Sequence, residues 1–147
     1  MANKKGTALL MVFVDIDTEQ DADFNDWYNQ EHVKDLLALP GFLNAARYEA
    51  AKGGPRYLAC YEMESADAVK TPEYLAFRRS PSVWTQRVAP SGIGRNYVRN
   101  VYTQIYPQEN DAAVMGRGMA PALQIGRMKV PAEIEAKYNE YYDTVRT

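Results

Sequence analysis

The run from Ala8 to Ile16 is almost uniformly apolar and rich in Val and Phe, the pattern of a central strand covered on both faces. From Thr18 the period changes. Acids at Glu19, Asp21 and Asp23 suit the positive end of a helix dipole, and Phe24, Trp27, Tyr28, Glu31, His32 and Leu36 then follow a 3.6-residue spacing. Leu39-Pro40-Gly41 stops this helix. Phe42 to Ala51 alternates up to the turn Lys52-Gly53-Gly54-Pro55, and Arg56 to Glu62 alternates after it, so the two runs predict a hairpin. Ser65 to Val88 reads as helical but broken, because Thr71-Pro72 and Ser80-Pro81 each set a capping hydroxyl before a proline suited to a first helical position. Arg95 to Tyr106 alternates again, with Tyr97, Val101 and Ile105 among polar residues, and supplies a fourth strand. The order is βαββαβ, an α+β sandwich of the ferredoxin-like kind, with Leu9, Met11, Phe13, Phe24, Leu37, Phe42, Leu58, Leu75 and Val101 expected to be buried.

This pattern divides the chain into a unit at 1–108, a linker at 109–121 that lacks any period, and a partial second repeat at 122–147. Laying Ala122–Thr147 over Ala8–Val33 without a gap pairs Leu9 with Leu123, Glu19 with Glu133, Ala22 with Ala136, Asn25 with Asn139 and Tyr28 with Tyr142 as identities. It also pairs Phe24 with Tyr138 and Trp27 with Tyr141, so a strand and a helix are expected from residue 122. Arg146 stands where His32 would match, so the repeat does not duplicate whatever His32 does.

Length and charge narrow the classes of function. One domain with a fragment fits 147 residues, and a net charge of -2 supplies no basic field for nucleic acid or an anionic membrane surface. A single cysteine, Cys60, excludes an internal disulfide, and a single histidine excludes a zinc site of several Cys and His ligands. The apolar run Ala8–Val14 is far shorter than the roughly 20 residues a bilayer requires, and no cleavage site follows it, so a soluble, cytoplasmic protein is expected. Eleven Tyr, four Phe and two Trp exceed the needs of a small core, which points to an aromatic pocket or interface.

Phe24-Asn-Asp-Trp-Tyr-Asn-Gln-Glu-His32, Leu36-Leu-Ala-Leu-Pro-Gly-Phe42 and Ala46-Arg47-Tyr48 resemble the WYxxEH, LPGF and RY signature of the dimeric α+β barrel superfamily, in particular its EthD-like group. The likeness spans residues 8 to 106. It implies that two ferredoxin-like sheets pair face to face, as a homodimer or between tandem halves, with helices outside and a pocket between sheet and helices. The superfamily it resembles includes cofactor-free cyclases, muconolactone isomerases, small monooxygenases, haem enzymes and binding proteins, so the resemblance alone selects no reaction.

His32 has the only side chain with an unperturbed pKa near neutrality, and it shares a helix stripe with Tyr28 and Phe24. A neutral imidazole beside phenols suits general-base work on a carbon acid or enol, and a histidine bonded to a strand carbonyl is the alternative. His32 and Tyr28 are the candidate catalytic pair. Trp27, Phe24, Tyr48, Tyr57, Tyr61 and Arg47 are candidate substrate contacts, against plain packing for the aromatics and an edge ion pair for Arg47. Glu31 reads as solvated beside Lys34 and Asp35. Asp15-x-Asp17-x-Glu19 lacks the glycine of a calcium loop, Ser91-Gly-Ile-Gly-Arg95 lacks the context of a dinucleotide fingerprint, and Cys60 reads as a buried hydrophobe, so neither a metal nor a cofactor is expected.

The expected function is a cofactor-free cyclase, isomerase or lyase acting on a small aromatic or oxygenated metabolite. A non-catalytic binding or stress-response module is the alternative, and a haem enzyme with His32 as axial ligand is a third reading. Helices on one side leave the other sheet face bare and apolar, which predicts a homodimer with or without residues 122–147.

Overall fold

A computed structural model of the chain describes residues 6–105 and 121–146. Strands β1 (Ala8–Asp15), β2 (Phe42–Glu49), β3 (Tyr57–Met63) and β4 (Arg95–Thr103) form one antiparallel sheet in the order β2-β3-β1-β4. The apolar β1 takes a central place, paired with β3 from Ala8 to Val14 and with β4 on its other side. Its ladder with β4 slips between Phe13 and Asp15. There Asn96 adopts a φ of 55° and its amide donates to Asp15 Oδ2 at 2.8 Å, a left-handed turn that Asn tolerates because its short side chain bonds locally.

The first crossover is a continuous helical run made of α1 (Thr18–Trp27), a π-helical turn (Tyr28–His32) and α2 (Val33–Leu37). It ends at Gly41, whose φ of 85° suits glycine and whose added Cβ would lie 2.9 Å from that of Ala68. The second crossover is broken into a 3₁₀ turn (Ala66–Lys70), α3 (Pro72–Arg79), α4 (Val83–Val88) and α5 (Pro90–Ile93). Thr71 caps α3 ahead of Pro72, accepting from the Tyr74 amide at 3.1 Å. The cap of α4 is Ser82, which accepts from the Thr85 amide, and not the expected Ser80. Pro81 keeps Ser80 out of the helical region, so Ser80 closes α3 instead.

Both crossovers pack on the sheet face that carries Leu10, Val12, Val14, Tyr61 and Met63, with Phe24 and Trp27 fully buried against it. Phe42 and Leu58 are buried as expected, whereas Leu37, Leu75 and Val101 are exposed and Leu9 is half-buried. In α2 it is Leu36 that meets the sheet, and Leu37 lies about 100° round the helix from it. Tyr74 and Phe77 take the inner positions of α3 in place of Leu75, and Val101 sits on the edge strand β4, which the helices cover only in part. On the opposite face Met11, Phe13, Leu58 and Cys60 form a second buried cluster, flanked by Leu9, Tyr48 and Val98.

That opposite face is not bare. The Arg127 guanidinium lies 4.5 Å from the centroid of the Phe13 ring, so the C-terminal segment reaches it. Residues 121–131 carry no strand, and no partner strand is present among the described residues to give them a ladder. A 3₁₀ turn (Ala132–Ile134), α6 (Glu135–Tyr141) and a second π-helical turn (Tyr142–Arg146) follow. With Ala122 set on Ala8, this turn falls on Tyr28–His32. Tyr141 and Tyr142 are exposed where Trp27 and Tyr28 are buried. The linker expected at 109–121 lies, apart from Pro121, outside the described residues, as do Tyr106 and the basic start of the chain. Among the described residues no helix is long and apolar enough to cross a membrane.

Candidate functional site

The π-helical turn decides how the first crossover meets the rest of the protein. At α-helical pitch His32 would lie over Tyr28, but a π turn takes more than four residues, which brings residue i+5 over residue i. His32 therefore stacks on Trp27, with ring centroids 4.3 Å apart and planes 22° from parallel, while the Tyr28 ring stands edge-on at 5.2 Å. Phe77 of α3 closes the other side at 6.1 Å.

Glu31, expected to be solvated, holds this turn against α4. Its Oε2 accepts from Ser82 Oγ at 2.6 Å, from Trp27 Nε1 at 3.1 Å and from Thr85 Oγ1 at 3.2 Å. The side chain thus reaches the capped end of α4, and Trp27 is fixed by Glu31 together with Thr85 Oγ1 at 3.0 Å. Further along, Asp23 accepts from Trp84 Nε1 at 2.9 Å and pairs with Arg87. A carboxylate that three donors pin between two helices is a structural strut rather than a free surface charge.

Between the helices and the sheet lies a cavity of about 350 Å³. Leu10 and Val12 of β1 and Tyr61 of β3 form the sheet side, and Trp27, Tyr28, His32 and Leu36 line it from the first crossover. The second crossover contributes Tyr74, Phe77, Arg78, Gln86 and Ser91, and β4 contributes Tyr97 and Arg99. The edge position of β4 explains why the cavity lies here: helices cover β1 and β3 but leave the inward-facing residues of β4 partly open.

Besides the Arg78 and Arg99 guanidiniums, the titratable groups in this space, His32, Tyr28 and Tyr61, are neutral and only partly satisfied. Burial holds the His32 imidazole down to about 4, with the Glu31 carboxylate pulling weakly the other way, so the ring is uncharged at neutral pH. Its Nδ1 is buried with no hydrogen-bond partner. The Tyr61 hydroxyl is likewise buried without a partner of good geometry, facing the Tyr28 hydroxyl, and burial pushes both phenols well above the usual tyrosine range. Each buried polar atom left unpaired costs about 1–3 kcal/mol, an expense that packing alone would remove by substitution.

Of the side chains proposed from the sequence, the cavity brings together His32, Tyr28, Trp27 and Tyr61. Phe24 is fully buried behind them in the core. Tyr57 is anchored instead to α1, donating to Asp21 Oδ1 at 2.6 Å and accepting from Asn25. Arg47 makes no edge ion pair. Its guanidinium donates to Asn25 and Asn29, each at 2.8 Å, and lies 4.6 Å from the Tyr28 centroid with Phe24 and Tyr57 at 5.6 Å. Tyr48 belongs to the opposite face, because strand alternation turns it away from Arg47.

Tyr74, Phe77, Arg78, Tyr97 and Arg99 were missed. The Tyr74/Phe77 spacing after the Thr71-Pro72 cap and the alternation of Tyr97, Arg99 and Val101 were their signals. Burial pushes the Cys60 thiol up to about 11, and it sits on the far face. Among the described residues no cluster of His, Cys, Asp and Glu could hold a metal ion.

Residues 7–111 match the family described as Domain of unknown function (DUF4286). No curated protein matches the sequence. Among solved structures the chain is similar to a dimeric ferredoxin-like protein from an uncultured marine organism, with 10% identity, a TM-score of 0.53, and 72% of this chain and 94% of that one covered. It is also similar to a candidate antibiotic biosynthesis monooxygenase from Bordetella bronchiseptica, with 13% identity, a TM-score of 0.51, and 69% and 99% covered. An ethyl tert-butyl ether degradation (EthD) family protein from Bacillus halodurans gives 12% identity, a TM-score of 0.49, and 67% and 99% covered. At such identities the likeness to the first two shows the fold alone: the chain has a ferredoxin-like α+β fold.

Proposed function

Since the chain belongs to the DUF4286 family, a name that assigns no chemistry, we propose from the cavity itself that the protein binds a small aromatic or oxygenated metabolite there and moves a proton on it with His32. The observation that carries this reading is a neutral imidazole, stacked on Trp27 and unpaired at Nδ1, lining an aromatic cavity of a size suited to a small ligand. A base whose conjugate acid titrates near 4 has the strength of a carboxylate without its charge. Such a base deprotonates only already acidic positions, an enol, a phenol or the carbon between two carbonyls, which is the chemistry of cofactor-free cyclases and isomerases. The imidazolium formed would lie against the Trp27 face, and the neutral phenols of Tyr28 and Tyr61 are donors for a developing enolate.

The depressed pKa equally favours a second reading, a binding protein in which His32 only accepts or donates a hydrogen bond. Both readings place the ligand in the same cavity, and they separate on turnover. Metabolites that co-purify with the protein, identified by mass spectrometry, test the shared part. Gly92 lines the cavity and an added Cβ there meets nothing within 4 Å, so a side chain is accommodated at this position, and Gly92→Phe is the variant chosen to obstruct the cavity from its rim. Compounds retained by the wild type and lost from Gly92→Phe support the reading, and equal retention by both sinks it. If the retained compound is converted, His32→Asn lowers the rate by about 10²–10⁴-fold when His32 is the base and leaves it near wild type when it is not.

Assembly enters the same proposal. The Met11, Phe13, Leu58 and Cys60 cluster is buried within the single chain, with Arg127 against Phe13, and would become the surface on which a second copy pairs, as the dimeric likeness suggests, once the C-terminal segment moves off it. Light scattering at micromolar concentration gives a twofold dimer under this account and a monomer if the C-terminal segment covers the face.

A further inference from the structure

The cavity lining holds two chemically different clusters. Trp27, His32 and Phe77 form an aromatic, uncharged one, while in the other Arg78 and Arg99 converge on the single phenol of Tyr74. Arg99 Nη2 donates to Tyr74 Oη at 2.6 Å, and the Arg78 guanidinium carbon lies 5.9 Å from the centroid of the same ring. No Asp or Glu lines the cavity, and among the described residues neither guanidinium is paired with a carboxylate. In a chain of net charge -2, two cations gathered at one cavity wall without a counter-ion form a local positive field of the opposite sign to the whole.

We infer that the ligand of this cavity is an aromatic anion, a planar ring system carrying a carboxylate or an equally acidic oxygen that Arg99 and Arg78 receive beside Tyr74 while the ring lies toward Trp27 and Phe77. The inference rests on the proposed use of the cavity and adds the charge of its ligand. Arginine suits the role because its planar fork matches a carboxylate with two parallel donors. The Tyr74 hydroxyl accepts from Arg99 and keeps its own proton to donate to the same anion. Because the acidic group is held at the cationic wall, the part of the ligand presented to His32 is the ring system or a substituent on it. Anchoring and proton transfer are thereby divided between two clusters of one cavity.

A matched pair of probes isolates the charge: naphthalene-1-carboxylate and naphthalene-1-carboxamide, nearly the same in shape and titrated calorimetrically into the full chain at pH 7 and low salt. The carboxylate is expected to bind at least tenfold more tightly than the amide. Arg99→Gln is expected to bring the carboxylate to the amide's affinity and leave the amide unchanged, with a smaller loss in the more exposed Arg78→Gln. Arg99→Lys keeps a cation on β4 and is expected to retain part of the difference, so it reports on charge even if Arg99→Gln fails to fold. Equal or tighter binding of the amide overturns the inference while leaving the cavity as a ligand site. An Arg99→Gln loss that is the same for both probes also overturns it, and binding of neither probe removes the cavity reading together with it.

Discussion

One sheet presents two unlike faces. On the helix-covered face β3 places Tyr57, Ala59, Tyr61 and Met63, and on the other it places Leu58, Cys60 and Glu62. Both faces bury polar atoms, but the far face settles them. Glu62 accepts from the Asn44 amide at 2.6 Å and the Gly6 backbone at 3.0 Å, and the Cys60 thiol is kept protonated by burial. The helix-covered face leaves His32 Nδ1 and Tyr61 Oη unpaired beside a cavity. A protein that satisfies its buried polar groups on one side and not on the other has concentrated its chemistry where they are unsatisfied.

That contrast can be broken most severely at Trp27. Trp27→Ala removes a fully buried ring, the stacking surface of His32 and a donor to Glu31, and is expected to lower stability by about 3–5 kcal/mol in denaturant unfolding. Acid is the next largest perturbation. His32 titrates near 6.5 when unfolded and near 4 when folded, so between those values the unfolded chain binds the extra proton. Stability is then fully present above about pH 6.5 and declines by about 3 kcal/mol as pH falls toward 4, and His32→Gln should remove that part of the slope. Glu31→Ala removes the acceptor that three donors share at the α1–α4 contact and leaves them only the bonds through Thr85 Oγ1, at an expected cost of about 1–2 kcal/mol in thermal unfolding. Tyr61→Phe deletes an unpaired hydroxyl, so the ligand-free protein should gain up to about 1 kcal/mol while naphthalene-1-carboxylate binds more weakly. Tyr48→Phe, on the far face, should leave that binding within about twofold.

The same contrast marks what the sequence could convey. Strand alternation is read directly from the order of residues, so it placed Tyr57 and Tyr61 on one face and Arg47 opposite Tyr48. The central place of β1 and the β2–β3 hairpin were read from the apolar run and from the turn between two alternating segments. The π-helical turn has no signature in hydrophobic spacing, because a 3.6-residue reading assumes the pitch that the turn abandons. The stripe therefore paired His32 with Tyr28, where the fold stacks it on Trp27. Glu31 looked solvated for a related reason, since its partners Ser82 and Thr85 are remote in sequence and only tertiary packing delivers them. Leu37 and Leu75 failed as core positions because hydrophobicity does not say which of two adjacent residues a short helix turns inward, and Val101 failed because edge exposure depends on where the sheet ends.

The central claim is that the fold holds His32 neutral at the cavity between helices and sheet. Because the chain has one histidine, NMR of its imidazole carbon-bound protons follows that group without assignment ambiguity. The titration midpoint should lie near 4, with little change in shift between pH 8 and 5.5. A midpoint near 6.5 in the folded protein would mean an imidazole open to water, and would contradict both the buried neutral base and the function built on it.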